Sequence, residues 1–509
     1  MSHNALETNQ IIAVIGSGAM GAGIAQVAAV AGHPVLLMDI RPAAAANAIA
    51  AIVAQLEKLA EKGKMTPEAV RAAASRLVAV DQLADLSKAA LVIEAIAENL
   101  EAKRGLFKEL ESIVGTDCIF STNSSSISIT SIAAVLAQPQ RLLGMHFFNP
   151  APLMKLVEVI SGLATDAGLA ETVAATATAW GKTAVHAKST PGFIVNRVAR
   201  PYYAEALRVL QEGASDPATI DACFREAGGF RMGPFELMDL IGHDVNLAVT
   251  KSVWNSFYHD QRFLPSLIQQ ELVDAGFLGR KSGRGFFDYQ NAASKPAPHT
   301  EAVVPLSAPV TLFGDSDAAV ALAARISAAG LSVVRKAQTD GRLAEAGDAI
   351  IFVTDGRTAT HRAFDTRLNN IVLIDLALDY SQATRLAVSF ADQCTATTRQ
   401  QATGFLQAAG LQVSQIADVP GLLLMRTVAM LANEAADAVN QGVCSVAGAD
   451  AAMKLGVNYP RGPLSWADQI GLPRLLVVLN HLCQTYGEDR YRVSPLIQRQ
   501  VFAGKKFHD

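Results

Sequence analysis

Charge and aromatic rings are scarce in this sequence. Of its 509 residues, 18% are Asp, Glu, Lys or Arg and 6% are Phe, Trp or Tyr, while half are hydrophobic. Soluble proteins carry about 25% charged residues. That balance excludes a disordered chain, and it predicts large buried cores with apolar surface left over for a subunit contact. Neither sign of charge dominates. Forty-seven acidic residues against 43 basic ones leave a net charge of −4, so overall charge does not support a nucleic-acid surface. The five cysteines, Cys118, Cys223, Cys394, Cys444 and Cys483, are far apart and form no CxxC. An odd, scattered set argues against disulfides and zinc and suits reduced thiols in a cytoplasm. Met1 to Gln10 is polar and carries Glu7, unlike a secretory leader. One long uncharged run, the 28 residues from Ile11 to Met38, is broken by Gly16, Gly18, Gly21 and Gly23 and then by His33 and Pro34. It suits a strand, a turn and a helix better than a membrane span. The length suggests about three or four domains.

What the run contains is more informative. Ile11 to Ile15 is a β-branched strand leading into Gly16-Ser17-Gly18-Ala19-Met20-Gly21, followed by an alanine-rich helix, a second strand at Val35 to Met38, and Asp39 at its end. In a strand–GxGxxG–helix unit the first glycine permits the tight turn. The second admits a pyrophosphate, and the third lets helix and strand close up. Free N–H groups and the dipole at the helix start favour the phosphates. An acid at the second strand's end accepts both adenosine ribose hydroxyls and repels a 2′-phosphate. The predicted cofactor is therefore NAD, bound by Gly16, Gly18, Gly21 and Asp39, even though Arg41 stands nearby.

Further apolar runs at Ala90 to Ile93, Cys118 to Phe120 and Leu142 to Met145 alternate with helical stretches, as in a doubly wound α/β domain. Glu98, Asn123, Ser125 and His146 follow strand ends, where such sheets bind ligands. Lys155 to Ile160 reads as another strand that places Glu158 on an apolar face. A buried carboxylate needs a partner, and His146 is the one available. A His–Glu pair holds the imidazole tautomer that a general base for an alcohol requires.

The glycine motif, Glu94-Ala95-Ile96, Asn123 to Ser126, His146-Phe147-Phe148-Asn149-Pro150, Thr190 to Arg197, Gly233 to Asp239 and Gly283 to Phe287 together resemble the L-3-hydroxyacyl-CoA dehydrogenase family. The likeness is nearly continuous over 10–289. It implies NAD-dependent oxidation of a (3S)-3-hydroxyacyl-CoA, with His146 as general base and Glu158 as its charge partner. Ser125 and Asn196 would hold the substrate 3-oxygen, and Asn149 would support the nicotinamide region. Glu98 and Lys103 would meet the ribose and nicotinamide end of the cofactor, with Lys281 reaching it from the helical domain. Lys62 would meet a CoA phosphate, although Gln55 stands where the family often has a CoA-contacting serine. The two-half layout is similar to long bacterial members that act on 3-hydroxyadipyl-CoA in phenylacetate degradation. A four-carbon 3-hydroxybutyryl-CoA and a β-hydroxyacid without CoA stay open as alternatives. Arg231 and Arg284 are candidates for a terminal carboxylate.

After Thr190 the pattern turns to amphipathic helices at 193–212, 216–227 and 234–246, then to an Ala/Pro/Ser-rich stretch. Adding 229 to positions in the helical region finds a second copy without a gap. Pro191-Gly192 recurs as Pro420-Gly421, Arg197 as Arg426, Glu205 as Glu434, Asp221 as Asp450 and Gly233-Pro234 as Gly462-Pro463. A duplication is the simplest explanation. The strand at Val310 to Gly314 also repeats, but Gly314, Ser316 and Ala319 replace the three glycines, and Ala337 stands for Asp39. Arg385 to Phe390 echoes Arg141 to His146 with Phe390 in place of the histidine, and Met425 replaces Asn196. The expected fold is α/β plus all-α. It comprises a Rossmann-type NAD domain (10–189), a helical domain (190–290), a linker (291–309), a degenerate Rossmann-like domain (310–418) and a second helical domain (419–509, repeating 190–280). The expected partner is an acyl-CoA, with no nucleic acid, no membrane and no metal. The chain is expected to be a monomer with an internal pseudo-dimer, or a homodimer.

Overall fold

A computed structural model describes residues 4–290, 295–337 and 340–509; residues 291–294 of the expected linker lie outside it. Among the described residues no helix is long and apolar enough to cross a membrane. The first sheet has eight strands: β1 (Ile12–Ile15), β2 (Val35–Met38), β3 (Leu77–Val80), β4 (Leu91–Glu94), β5 (Ile119–Thr122), β6 (Leu142–Phe147), β7 (Leu156–Ser161) and β8 (Thr183–Lys188). They lie in the order β3-β2-β1-β4-β5-β6-β7-β8. All neighbours are parallel except β6 and β7. β1, β4, β5 and β6 are buried along their whole length, which is why they read as unbroken apolar runs rather than alternating ones. The helix Ala19–Ala31 packs Ile24, Ala25 and Ala28 into the core with Ile12 and Val14. A Cβ on Gly21 would lie 1.8 Å from the Gly16 carbonyl oxygen, so only glycine lets helix and strand close there.

The second sheet is reduced to seven strands: β9 (Val310–Phe313), β10 (Val334–Lys336), β11 (Ala344–Ala346), β12 (Ala349–Val353), β13 (Ile371–Ile374), β14 (Arg385–Phe390) and β15 (Gln412–Gln415). Their order is β10-β9-β11-β12-β13-β14-β15. Register overturns one expectation. Leu143 pairs with Ser161 across antiparallel β6 and β7, and Val372 pairs with Phe390 across antiparallel β13 and β14. Each of these positions differs by 229, so Arg385–Phe390 is the counterpart of Leu156–Ser161 and not of Arg141 to His146. The residue standing for His146 is Asp375, and the one standing for Glu158 is Ala387. Two short apolar strands, each opening near an arginine, look alike in sequence, and only their direction in the sheet separates them.

Two expected helices are each divided. The stretch 193–212 splits into Val195–Val198 and Arg200–Gln211, with Pro201, which has no N–H to donate, in the first turn of the second piece. The stretch 234–246 breaks at Gly242, whose φ is +98. The linker is tied down where it is described. The His299 N–H donates to Thr219 Oγ1 (2.7 Å), Glu301 N–H donates to the Val413 carbonyl (2.8 Å), and Gln407 Nε2 donates to the carbonyls of Glu301 and Ala302. It thereby covers the outer edge of β15, a standard protection for an open strand.

The chain forms two compact units, one of residues 1–197 with 441–457 and the other of 198–440 with 458–509. In the first, the helix Val446–Gly456 from the second helical copy packs on β7 and β8. In the second, the helix Pro217–Glu226 from the first copy packs on β14. These helices are repeats of one another, and so are their anchors. Lys188 N–H donates to the Val443 carbonyl and Ala417 N–H to the Ala214 carbonyl, both at 2.9 Å. The 229-residue offset relates the two bonds in both directions. Each sheet therefore takes a helix from the other half of the sequence.

Candidate active site

The glycine turn after β1 opens on a cavity of about 610 Å3 lined by Gly16, Gly18, Asp39, Arg41 and Ala95 to Ala97. Gly16 has φ +100, and a Cβ there would lie 2.5 Å from the Ala95 carbonyl oxygen. A Cβ on Gly18 would meet nothing within 4 Å. Packing therefore does not demand glycine at 18; a ligand that needs close approach to the backbone does. Gly18 caps the helix Ala19–Ala31 without a side-chain bond, which leaves the first-turn N–H groups for an anion. Asp39 accepts from the Ser17 N–H (2.8 Å) and hydroxyl (2.7 Å) and from Arg41 Nε (2.9 Å). The Arg41 guanidinium holds the Asp39 carboxyl well below the usual carboxylate range. Arg41 is itself 67% exposed, so it is free to swing aside for a ribose. The cradle, the open space at Gly18 and the acid fit a dinucleotide.

Beyond β4 the chain bends at Glu98. Its Oε1 accepts from the Ser124 hydroxyl (2.6 Å), the Ser125 and Ser126 N–H groups (both 3.1 Å) and the Ser126 hydroxyl (2.9 Å). Burial opposes its ionised form, but Ser124, Lys103 and Ser126 hold its pKa below the ordinary value. Lys103 stands behind this carboxylate rather than on the cavity wall. It is 1% exposed and pairs with Glu94 at 2.6 Å and Glu98 at 3.3 Å. Glu94, which in sequence carries no role beyond its place in the Glu94-Ala95-Ile96 motif, is buried and also accepts from the Thr122 hydroxyl at 2.6 Å and the Ile96 N–H at 2.7 Å. A lone acid ending an apolar strand was the available signal.

His146 lies within β6, not after it, opposite Glu158 on β7. Its Nδ1 is 2.6 Å from Glu158 Oε2, and the register that makes them neighbours comes from the antiparallel pairing. Glu158 is fully buried. Its other oxygen accepts the Ile194 and Val195 N–H groups, both at 3.0 Å. Those donors are aimed by Phe193, a non-glycine residue at φ +45, a strained conformation that a built site retains. Because a carboxylate only accepts, the imidazole carries its proton on Nδ1 and presents a lone pair on Nε2. Phe148 and Phe193 flank the ring at 4.5 and 5.9 Å.

Asn196 Nδ2 donates to the Ser125 carbonyl at 3.3 Å, which brings these two predicted substrate contacts together. Among the described residues the Ser125 hydroxyl has no protein partner. The Asn123 side-chain oxygen accepts the Phe147 N–H at 2.8 Å and ties the loop after β5 to β6. Asn149 is exposed, and Lys62 caps the helix Ala44–Glu61 in solvent. Lys281 belongs to the second unit, where it pairs with Asp244 at 2.6 Å. No group of His, Cys, Asp and Glu suited to a metal occurs among the described residues.

The segment 441–457 bears on this site too. Arg197 Nη1 donates to Gln441 Oε1 at 2.9 Å. A Cβ on Gly456 would come within 2.8 Å of Leu156, 3.0 Å of Val195 and 3.6 Å of Phe148. The backbone of the second copy thus lies against the residues that carry and flank the His146–Glu158 pair, and no single-residue motif in the sequence announces it.

Known proteins resemble nearly the full length of the chain. Residues 11–190 match the NAD binding domain of 3-hydroxyacyl-CoA dehydrogenase, and 192–289 and 421–507 match its C-terminal domain. Residues 351–420 match the reduced Rossmann-fold domain of 3-hydroxybutyryl-CoA dehydrogenase. The chain is 47% identical to 3-hydroxyadipyl-CoA dehydrogenase of Escherichia coli K12, over 97% of both proteins. It is 44% identical to a probable 3-hydroxybutyryl-CoA dehydrogenase of Bacillus subtilis, which covers 57% of this chain and 100% of that one. The crystal structure of a 3-hydroxybutyryl-CoA dehydrogenase from Escherichia coli K12 superposes with a TM-score of 0.88 and 44% identity, covering 98% of this chain and 99% of that one.

Proposed function

The chain belongs to the 3-hydroxyacyl-CoA dehydrogenase family, and from that premise we propose that it oxidises (3S)-3-hydroxyadipyl-CoA with His146 as general base. It is an NAD-dependent oxidoreductase that converts a 3-hydroxyacyl-CoA to the 3-oxoacyl-CoA. The observation that carries the catalytic assignment is the 2.6 Å His146–Glu158 contact, backed by two N–H groups on the far carboxylate oxygen.

NAD+ supplies the hydride acceptor for C3. Gly16 and Gly18 would give its phosphates backbone access, Gly21 lets helix and strand close behind them, and Asp39 would take the adenosine ribose once Arg41 moves. His146 Nε2 accepts the proton of the substrate hydroxyl. The imidazolium so formed is balanced by Glu158, which reaches it through Nδ1–H. Ser125 and Asn196 hold the 3-oxygen as it becomes a carbonyl. Glu98, kept ionised by Ser124, Lys103 and Ser126, meets the nicotinamide end, with Lys103 acting through it. Asn149 and Lys281 remain assigned to the cofactor and Lys62 to a CoA phosphate. General-base help is worth about 10²–10⁴-fold, and orientation of the two bound reactants adds more.

The adipyl chain is favoured by identity along the full two-half length to the 3-hydroxyadipyl-CoA enzyme; the names of the other relatives favour a butyryl group. The five free cysteines suit a reducing compartment, and we place the protein in the cytoplasm. The reciprocal helix exchange supports a monomer that is its own pseudo-dimer. The test is NADH oxidation with 3-oxoadipyl-CoA and with acetoacetyl-CoA, beside His146→Gln. Turnover lost in the variant is expected, with the higher kcat/KM on the adipyl substrate. A higher value on acetoacetyl-CoA would replace the adipyl assignment with butyryl. Undiminished turnover in the variant would overturn His146 as the base.

A further inference from the structure

In the second unit, a cavity of about 440 Å3 lies between the helix Arg200–Gln211 and two loops, 263–267 and 486–490. Nothing in the dehydrogenase reaction uses it. Its wall carries Arg200, Arg208 and Arg490 against Glu212 and Glu488, an excess of one positive charge. Both glutamates are already engaged. Glu212 is 3.0 Å from Arg426 and accepts from the Tyr486 hydroxyl, and Glu488 is 3.0 Å from Arg208. Behind the wall Glu205 takes Arg426 Nε at 2.7 Å and the Tyr491 hydroxyl at 2.8 Å.

Arg490 is only loosely paired, with Glu488 and more distantly Glu205. It is 3% exposed, its Nε has no hydrogen-bond partner, and the nearest carboxylate oxygen, Glu488 Oε2, is 3.6 Å away, beyond hydrogen-bonding range. Burial pushes the guanidinium pKa of Arg490 below the ordinary value, the response of a desolvated cation. Arg200, on the same wall, donates to Thr250 Oγ1 at 3.0 Å and lies over the Tyr203 ring. A second orphan belongs to a residue of the same lining. Ser266 stands at the N-cap of the helix Leu267–Asp274 but makes no capping bond, and its hydroxyl is buried without a partner. The first-turn N–H groups of that helix are thus left uncapped, at the end where the dipole favours negative charge. Leu207, Phe263 and Leu264 supply an apolar wall beside these polar groups.

We propose that this cavity binds a small organic oxyanion, its charged head between Arg490, Arg200 and the Ser266 hydroxyl and its apolar body against Leu207 and Phe263. The head is a carboxylate or a phosphate monoester, since both match an arginine fork. The site is separate from the dinucleotide cavity and does not depend on the acyl-chain assignment.

The test is thermal melting of the full chain with hexanoate and with hexyl phosphate, which share a tail and differ in the head. Sodium chloride keeps ionic strength constant, and saturating NADH keeps the nucleotide site filled. One of the two probes is expected to raise Tm saturably, on the order of 2 °C at ten times its Kd, and the better probe identifies the head. Ser266→Ala is expected to weaken that binding about tenfold, as loss of one bond to a charged group does, and Arg490→Gln to abolish it. NADH affinity should stay unchanged in Ser266→Ala, which serves alone if Arg490→Gln does not fold. No saturable shift with either probe, or the same shift in wild type and Ser266→Ala, overturns the proposal.

Discussion

Glu158 serves two structures at once. One oxygen fixes the tautomer of His146, and the other satisfies two N–H groups at the start of the helix Val195–Val198. In Glu158→Gln the amide can donate to Nδ1, which leaves the proton on Nε2 and removes the base. The expected result is a fall in kcat of about 10²–10⁴-fold with KM for NADH nearly unchanged. Stopped-flow hydride transfer measures it, and a kcat within threefold of wild type would refute the role. Asp39 is a simpler case. Its carboxylate is kept ionised by Arg41 and Ser17, ready to accept ribose hydroxyls. Asp39→Ala should raise the Kd for NADH about 10–100-fold, while Kd for NADPH changes far less. Equal losses for both cofactors in fluorescence titrations would rule out a ribose role.

Among the elements, the helix Val446–Gly456 and the start of the helix Leu424–Asn440 show what the duplicated half retained. Gly456 meets Leu156, Val195 and Phe148 with no room for a side chain. Gly456→Val should therefore lower stability by about 1–3 kcal/mol and reduce kcat more than it alters NADH binding, because the cofactor cavity is elsewhere. A Tm loss with kcat intact would limit the helix to a packing role. In the second half, Asp375 stands at the histidine's position yet does the work of Glu158. It accepts the N–H groups of Leu423, Leu424 and Met425 at 2.7–2.9 Å. Leu422, at φ +54, turns the chain there as Phe193 does in the first half. Burial outweighs the N–H donors and pushes the Asp375 pKa from 3.8 up to about 6. The folded state therefore holds this proton where the unfolded chain has lost it. Its contribution to stability is complete below pH 3.8 and is lost as pH rises to about 6. Asp375→Asn cannot titrate, so the fall in stability between pH 4 and 6 should flatten by up to about 3 kcal/mol. Thermal melts at several pH values check this, and an unchanged slope would refute it.

For the whole molecule, the reciprocal exchange of helices explains why a half without its histidine or its glycine motif persists. Residues 441–457 belong to the compact unit that holds the His146–Glu158 pair, so the second half contributes packing to the unit proposed to carry the chemistry. A chain ended after Tyr289 lacks that segment but keeps its counterpart, the helix Pro217–Glu226. Two such chains should exchange that helix between β7–β8 edges. The expected outcome is a dimer by light scattering whose activity falls on dilution. A fully active monomer would show that β7 and β8 need no cover.

The local chemistry was legible in the sequence because it is written in contiguous spacing. The strand–GxGxxG–helix unit, Asp39 at a strand end, the His146 and Glu158 strands and the 229-residue repeat all depend on near neighbours or on a constant offset. Half of the surroundings of the His146–Glu158 pair was hidden, since Ile194 and Val195 reach Glu158 only through the turn at Phe193. Lys103 showed the same limit: its charge was visible, but its burial behind Glu98 was not. The antiparallel direction of β14, which moved the histidine's counterpart from Phe390 to Asp375, and the transfer of 441–457 to the first unit belong to the tertiary structure alone. The first is a pairing between neighbouring strands, Val372 with Phe390, and the second joins segments as far apart as Lys188 and Val443; both are decided by hydrogen-bond register and by which apolar face covers which sheet, and a local residue pattern carries no record of either choice.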